Sequence, residues 1–516
     1  MMKKIKKVKK LSGCVFLFGI LFVVMFALNK MTLNRTSQGC IQLHDFYNLE
    51  DHTVDALFIG SSHVYYSVNT CMLYDDYGIA GYLLASPGQP VWISYYFLEE
   101  ALKTQSPKLV VFDVCTLYQK AADVGASSWP SLISMKPSVT KWNAIRAVNR
   151  EGKQLDAVGA FFSFPYYHTR YDELTRQDFY NTKRVRYNGY KPDFTKISPE
   201  ELKEWEQVDR TGFAAIGTIT SRTETYLRRL MELCRDQGIP LLLVNAPYVN
   251  HTLEKQQAYN YIGTIAAEYG VPFLDANYDS RIHVDDERDF FEPSHLNYRG
   301  SLKYTKYLAE VLSRYELPDR RGDTRYQHWE EVSTLFRHRE TNRRALKSAD
   351  HLDEYVRVLK ELTNCVVTAF WNPGGEVLVY EDGKCMFAGA KGQVYLKHFD
   401  LGTSDLVVRG DGKTVQALVD QKAYSYTEQG LNILVYDKVA KRVIGGAGFA
   451  QDTTRETNPA ALPYSAPLAA AIITGILRPN RHNQCSKYHK QKPDERFFTQ
   501  SFLKYDIRKG NRYHNA

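Results

Sequence analysis

A chain of 516 residues is too long for one hydrophobic core and implies two or three domains. Its net charge of +8 is terminal: six lysines lie between Lys3 and Lys10, ten Lys/Arg face three Asp/Glu from Arg478 onward, and about −5 is left for everything between. A mildly acidic body excludes a nucleic-acid groove.

The 36 tyrosines suit carbohydrate stacking and aromatic core packing equally well. Eight cysteines are scattered (Cys14, Cys40, Cys71, Cys115, Cys234, Cys365, Cys385 and Cys485), with no CxxC and no His/Cys cluster at zinc spacing. Neither a metal nor a cofactor is therefore readable. Cys365 and Cys385 are candidates for an extracellular disulfide, although free buried thiols are the commoner outcome.

In chain order, Leu11 to Leu28 is almost wholly apolar and follows the lysine cluster. Eighteen helical residues span about 27 Å, enough for a bilayer core. The lysines then stay cytoplasmic and the chain beyond residue 30 lies outside the cell membrane. No clear small-x-small cleavage site follows, which favours an uncleaved anchor over a signal peptide. Residues 1–30 are thus read as basic segment and membrane anchor, and 31–50 as a linker.

Val54 to Ile59 is an apolar run that ends in Gly60-Ser61-Ser62-His63, as a buried parallel strand hands a hydroxyl to solvent. Val64 to Asn69 and Met72 to Leu84 read as loop and helix. Gly88 then opens a helix, Val91 to Leu102, and a glycine turn there can offer free N–H groups to an oxyanion. Pro107 to Asp113 is a second buried strand with an acidic end. Residues 120–220 are less regular and rich in Tyr, Phe, Trp and Arg; Phe164 to Tyr171 could roof a site or fill an aromatic core. Alternation then resumes: helix 221–237, strand Pro240 to Val244 followed by Asn245, helix Leu253 to Tyr269, strand Val271 to Leu274. Asp289-Phe-Phe-Glu292-Pro-Ser-His295 precedes a last helix, Leu302 to Arg314. The expected fold is α/β, a doubly wound parallel sheet with helices on both faces.

Ser62, Asn245 and Glu292-x-x-His295 each follow a strand, at the sheet edge where such folds place their chemistry. A serine hydroxyl needs a histidine to take its proton, and that histidine needs an acid to orient it. His63 is too near Ser62 in sequence to be that base. His295 takes the role, with Glu292 as its acid and Asp289 in reserve.

These four segments resemble the blocks of SGNH (GDSL-type) hydrolases, over roughly residues 50 to 315. Gly60-Ser61-Ser62 resembles the first block, with Ser61 in place of the usual Asp. Gly88 resembles the second-block glycine, Asn245 the third-block asparagine, and Glu292-x-x-His295 the last block, normally Asp-x-x-His. The resemblance implies a flavodoxin-like sheet over 51–316, Ser62 as nucleophile, and an oxyanion hole from Ser62 N–H, Gly88 N–H and the Asn245 amide. Within the family the likeness is to membrane-anchored proteins such as the teichoic acid D-alanine transfer protein and the alginate O-acetyltransferases. That implies a multipass membrane O-acyltransferase as partner and a cell-surface or exported polysaccharide as substrate.

Residues 317–350 are dense in charge and read as a solvated linker helix or hinge. From Val356 short strands with glycine turns begin, which makes 351–452 a β-rich domain. Its Gly430-Leu-Asn-Ile-Leu-Val-Tyr-Asp437 and Arg442-Val-Ile-Gly-Gly-Ala-Gly-Phe449 are similar to the interleukin-like EMT inducer domain. Some members of that group bind glycans, so a glycan-binding role and a structural one are both implied. Residues 453–516 read as a basic surface tail, with a second membrane span at 461–477 the lesser alternative. The leading functional expectation is an extracytoplasmic serine acyltransferase or esterase. The alternative is a non-catalytic glycan-binding or assembly subunit.

Overall fold

The computed structural model describes residues 37–119, 126–149, 155–172, 187–205, 213–279, 281–349, 351–362, 364–382, 384–402, 404–438 and 442–449, with scattered positions from 16 to 28. The expected anchor lies largely, and the tail wholly, outside the described residues. Among the described residues no helix is long and apolar enough to cross a membrane. The chain forms two compact units that meet at Glu340/Thr341.

In the first unit five short strands form one parallel sheet: β1 (Ala56–Gly60), β2 (Gly81–Ala85), β3 (Leu109–Asp113), β4 (Leu241–Asn245) and β5 (Phe273–Asp275). Their order is β2-β1-β3-β4-β5, so the chain reverses its direction of travel across the sheet between β1 and β3. Side chains alternate between the faces. Leu57, Ile59, Val110 and Phe112 pack with helices Val91–Ala101, Ser221–Asp236 and Leu253–Glu268. Ala56, Phe58, Leu109 and Val111 pack on the other face with helix Tyr298–Leu312. Both faces are covered, which is why these strands read as unbroken apolar runs rather than alternating ones.

Three departures from the sequence reading have physical causes. Residues 64–69 and 72–84, read as loop and helix, hold instead helix Ser62–Ser67, the end of helix Thr70–Tyr77 and β2. A five-residue apolar run cannot be told from a buried helical turn by periodicity. The stretch read as a linker before residue 50 contains helix Cys40–Phe46, which buries Cys40, Leu43 and Phe46 and whose Gln42 carbonyl accepts from the Tyr82 hydroxyl at 2.6 Å. The charged stretch 317–350, read as a solvated linker helix or hinge, does fold largely as helix Gln327–Ser348, but that helix is not wholly solvated. Its charges mask a buried stripe, Trp329, Val332 and Phe336, and Trp329 Nε1 donates to Gly81 O at 3.1 Å.

The second unit is antiparallel. One sheet has the order β10-β9-β8-β15-β16, from β8 (Cys365–Asn372), β9 (Glu376–Glu381), β10 (Lys384–Gly389), β15 (Gly430–Asp437) and β16 (Arg442–Phe449). A second comprises β11 (Val394–Asp400), β12 (Asp405–Asp411), β13 (Val415–Val419) and β14 (Lys422–Tyr424). Phe370, Val379 and Leu434 of the first sheet share a core with Val408 and Ala417 of the second. The opposite face of the first sheet is covered by helix Leu352–Glu361, where strands were expected. Leu352, Tyr355, Val356 and Leu359 are buried at helical spacing. Cys365 and Cys385 are both free thiols.

Candidate active site

The turn after β1 is built by close approach. A Cβ on Gly60 would stand 2.7 Å from Val64 Cγ2 and 2.9 Å from Asp113 Cβ, so only glycine fits. Ser61 caps the next helix, Ser62–Ser67, its hydroxyl accepting from His63 N at 3.4 Å. Ser62 is left half-buried while Ser61 and His63 are buried.

Facing Ser62 is a hairpin of β6 (Phe290–Glu292) and β7 (His295–Leu296), in which Glu292 pairs directly with His295. His295 Nε2 lies 2.7 Å from Ser62 Oγ, and its Nδ1 meets Glu292 Oε1. A carboxylate only accepts, so Nδ1 carries the ring proton and Nε2 is left to accept from the serine. The hydrogen bond from His295 holds the Glu292 carboxyl below the usual range against partial burial. Ser62, His295 and Glu292 are thus one connected chain.

Asp289 is not part of it. Its fully buried carboxylate takes Lys303 Nζ at 2.5 Å and Asp285 N–H at 2.7 Å, with Arg299 Nε 2.9 Å away. Asn297 closes the loop beneath the hairpin, its amide donating to Arg288 O and Phe290 O and its carbonyl capping helix Tyr298–Leu312.

Gly88 occupies the turn after β2, beside β1, with φ at +54°. Asn245 does not sit beside β1. It ends β4, and at about 4.8 Å per strand its backbone is about 10 Å from that of Gly60. The Asn245 amide is fully buried and donates to Asp275 Oδ1 at 3.2 Å. The strand that adjoins β1 on that side is β3, and it ends in Asp113. Burial pushes the Asp113 carboxyl up to about 7, against the pull of two backbone N–H donors.

Aromatic rings and a lysine complete the surroundings. Phe291 stacks on the His295 ring at 5.6 Å, with Tyr66 at 4.9 Å and His63 at 5.0 Å. These rings fix the imidazole plane. Burial holds the His63 imidazole well below its ordinary pKa, and so neutral. Lys191 Nζ donates to the Tyr66 hydroxyl at 2.6 Å, which puts a partly exposed cation near the site. The paired aromatics Tyr65-Tyr66 just after Ser62 were the available signal for Tyr66. Nothing in the sequence marked Lys191.

No family model and no curated protein matches the chain. Among sixteen matching solved chains is a candidate acylhydrolase from Bacteroides fragilis. It is 11% identical, covers 53% of this chain and 94% of its own, and superposes at a TM-score of 0.28.

Proposed function

We propose that this chain is a membrane-anchored, extracytoplasmic serine acyltransferase or esterase of the SGNH type, acting on O-acyl groups of cell-surface or exported polysaccharide. The observation that carries the catalytic part is the Ser62–His295–Glu292 chain of contacts. His295 Nε2 takes the Ser62 proton as Oγ attacks the acyl carbonyl, and ionised Glu292 offsets the charge that forms on the ring. The tetrahedral oxyanion is met by the backbone N–H groups of Ser62 and Gly88; the Asn245 amide is engaged with Asp275 and is left out of this role. Collapse expels the first alcohol, which leaves with the proton from His295. The acyl-serine is then opened by a sugar hydroxyl in transfer, or by water in hydrolysis. The apolar run Leu11–Leu28 and its lysines support the anchor, and the likeness of the motifs to polysaccharide O-acetyltransferases supports the substrate and a multipass acyltransferase partner.

Labelling the full chain with a serine-directed fluorophosphonate tests the nucleophile. Label is expected on Ser62, abolished in S62A and strongly slowed in H295A. An unlabelled wild-type chain would leave a non-catalytic glycan-binding or assembly subunit as the better account. Supplying acyl donor with and without a sugar acceptor then separates transfer from hydrolysis.

A further inference from the structure

Directly behind Ser62, the turns that follow β1 and β3 bring three side chains of different chemistry together. A ring nitrogen of His63, a carboxylate oxygen of Asp113 and the thiol of Cys115 all lie within 4.8 Å of one another. All three residues are buried, at 5%, 3% and 9% exposure. Sequence spacing could not show this cluster, because His63 and the Asp113-x-Cys115 pair meet only through the pairing of β1 with β3.

Two observations point to a bound ion rather than casual proximity. The His63 side chain is buried with its Nδ1 unpartnered, and a buried nitrogen without a partner is destabilising. Asp113 accepts from Cys115 N at 3.0 Å and Ala246 N at 3.3 Å, yet among the described residues no Lys or Arg forms an ion pair with it. A dication held by one carboxylate, one thiolate and one neutral imidazole makes a site of zero net charge, which suits burial. Sulfur, nitrogen and oxygen donors together match zinc. Tetrahedral bond lengths for such a set put ligand atoms about 3.5 Å apart, so a pair at the 4.8 Å limit must draw in by about an ångström. His63 and Asp113 also line a small cavity with Tyr304, whose buried hydroxyl is unpartnered; Cys115 does not line it, and no fourth ligand is assigned.

We propose that His63, Asp113 and Cys115 form a structural zinc site that ties the nucleophile turn to the carboxyl end of β3. The site does not touch the acyl group, and it stands or falls separately from the role of Ser62.

The test is elemental analysis of the full chain, purified without chelator or metal-affinity tag, followed by exchange with Co²⁺. About one zinc per chain is expected, with visible cobalt bands and a thiolate-to-cobalt charge-transfer band. C115S and D113N should each lower the zinc content at least tenfold, and C115S should abolish the charge-transfer band. Wild-type protein with less than about a tenth of an equivalent of zinc, and no cobalt band at one equivalent of Co²⁺, overturns the proposal. A water would then serve His63. Zinc retained undiminished in both variants overturns it equally. Should either variant fail to fold, the wild-type cobalt spectrum still decides.

Discussion

Glu292 and Asp289 sit three residues apart on one hairpin, and their surroundings give them opposite work. Glu292 is partly exposed and touches His295, whereas Asp289 is fully buried and touches two cations and a backbone N–H. E292Q keeps the shape of the side chain but removes the charge that orients the imidazole. Acyl-ester turnover should fall by about 10³–10⁴-fold with the urea midpoint close to wild type. D289N leaves Lys303 facing a neutral amide, so the midpoint should drop by the equivalent of about 2–3 kcal/mol while the rate of Ser62 labelling in the folded protein is kept. Measuring both quantities on both variants decides the assignment: the reversed pattern would make Asp289 the acid. Three of the residues that matter here, Ser62, Glu292 and His295, were legible because each follows a strand and their chemistry is complementary. The rings that clamp His295 were not, since Tyr66 and Phe291 look like any core aromatics until the hairpin is folded onto the first turn.

Strand order came only with the resemblance to a flavodoxin-like sheet and not from the apolar runs themselves. Four of the five central strands were readable as apolar runs, but nothing in a run says which neighbour it will have. Asn245 was placed with Ser62 because both follow strands. The reversal between β1 and β3 instead seats Asp113 beside the nucleophile turn and sends Asn245 one strand farther out. The tightness of that turn makes its own prediction. G60A forces a methyl into Val64 and Asp113, costing about 1–3 kcal/mol and tilting Ser62 away from His295. Labelling at a denaturant-free temperature where the variant is fully folded should still be slowed at least tenfold; an unchanged rate would mean that the turn is not what aims the hydroxyl. Helix Val139–Asn149 carries a second test. Lys141 is fully buried, with Nζ donating to Ile133 O at 2.6 Å and Phe161 O at 2.8 Å, and burial pulls its pKa down to about 7. The unfolded chain keeps that proton to about pH 10.4, so between pH 7 and pH 10 it binds more protons than the folded chain, and Lys141 makes stability rise with pH in that window. Urea midpoints at pH 7 and pH 9 should show the rise in wild type and a smaller one in K141M. Equal slopes would mean that the buried amine stays charged.

At the scale of the whole chain, the change from parallel to antiparallel pattern was legible from the glycine turns and two-residue alternation after residue 376, while the boundary was not. Charge density at 317–350 suggested a solvated connector because Arg, Glu and Asp outnumber the apolar residues there. What decides the fold of such a stretch is the spacing of the few apolar residues, not their number: Trp329, Val332 and Phe336 share one helix face and all are buried. The division of the cores has a consequence that can be measured. Among the described residues, the two hydrophobic clusters flanking the parallel sheet contain nothing beyond Phe336, and the two clusters of the second unit begin at Leu346. A chain ended after Ala349 therefore keeps every buried apolar side chain of the first unit and the whole of the helix that supplies its last ones. It should unfold in a single cooperative transition and label at Ser62 at the full-length rate, because the nucleophile, base, acid and their clamping rings all lie before residue 300. Ending the chain after Asp323 instead removes Trp329 and Phe336. Each such loss from a core costs about 3–5 kcal/mol, so this shorter chain should lose labelling through unfolding. Equal behaviour of the two truncations would show that the helix is the solvated connector its charges suggest, with its buried stripe contributing nothing to the sheet that presents Ser62.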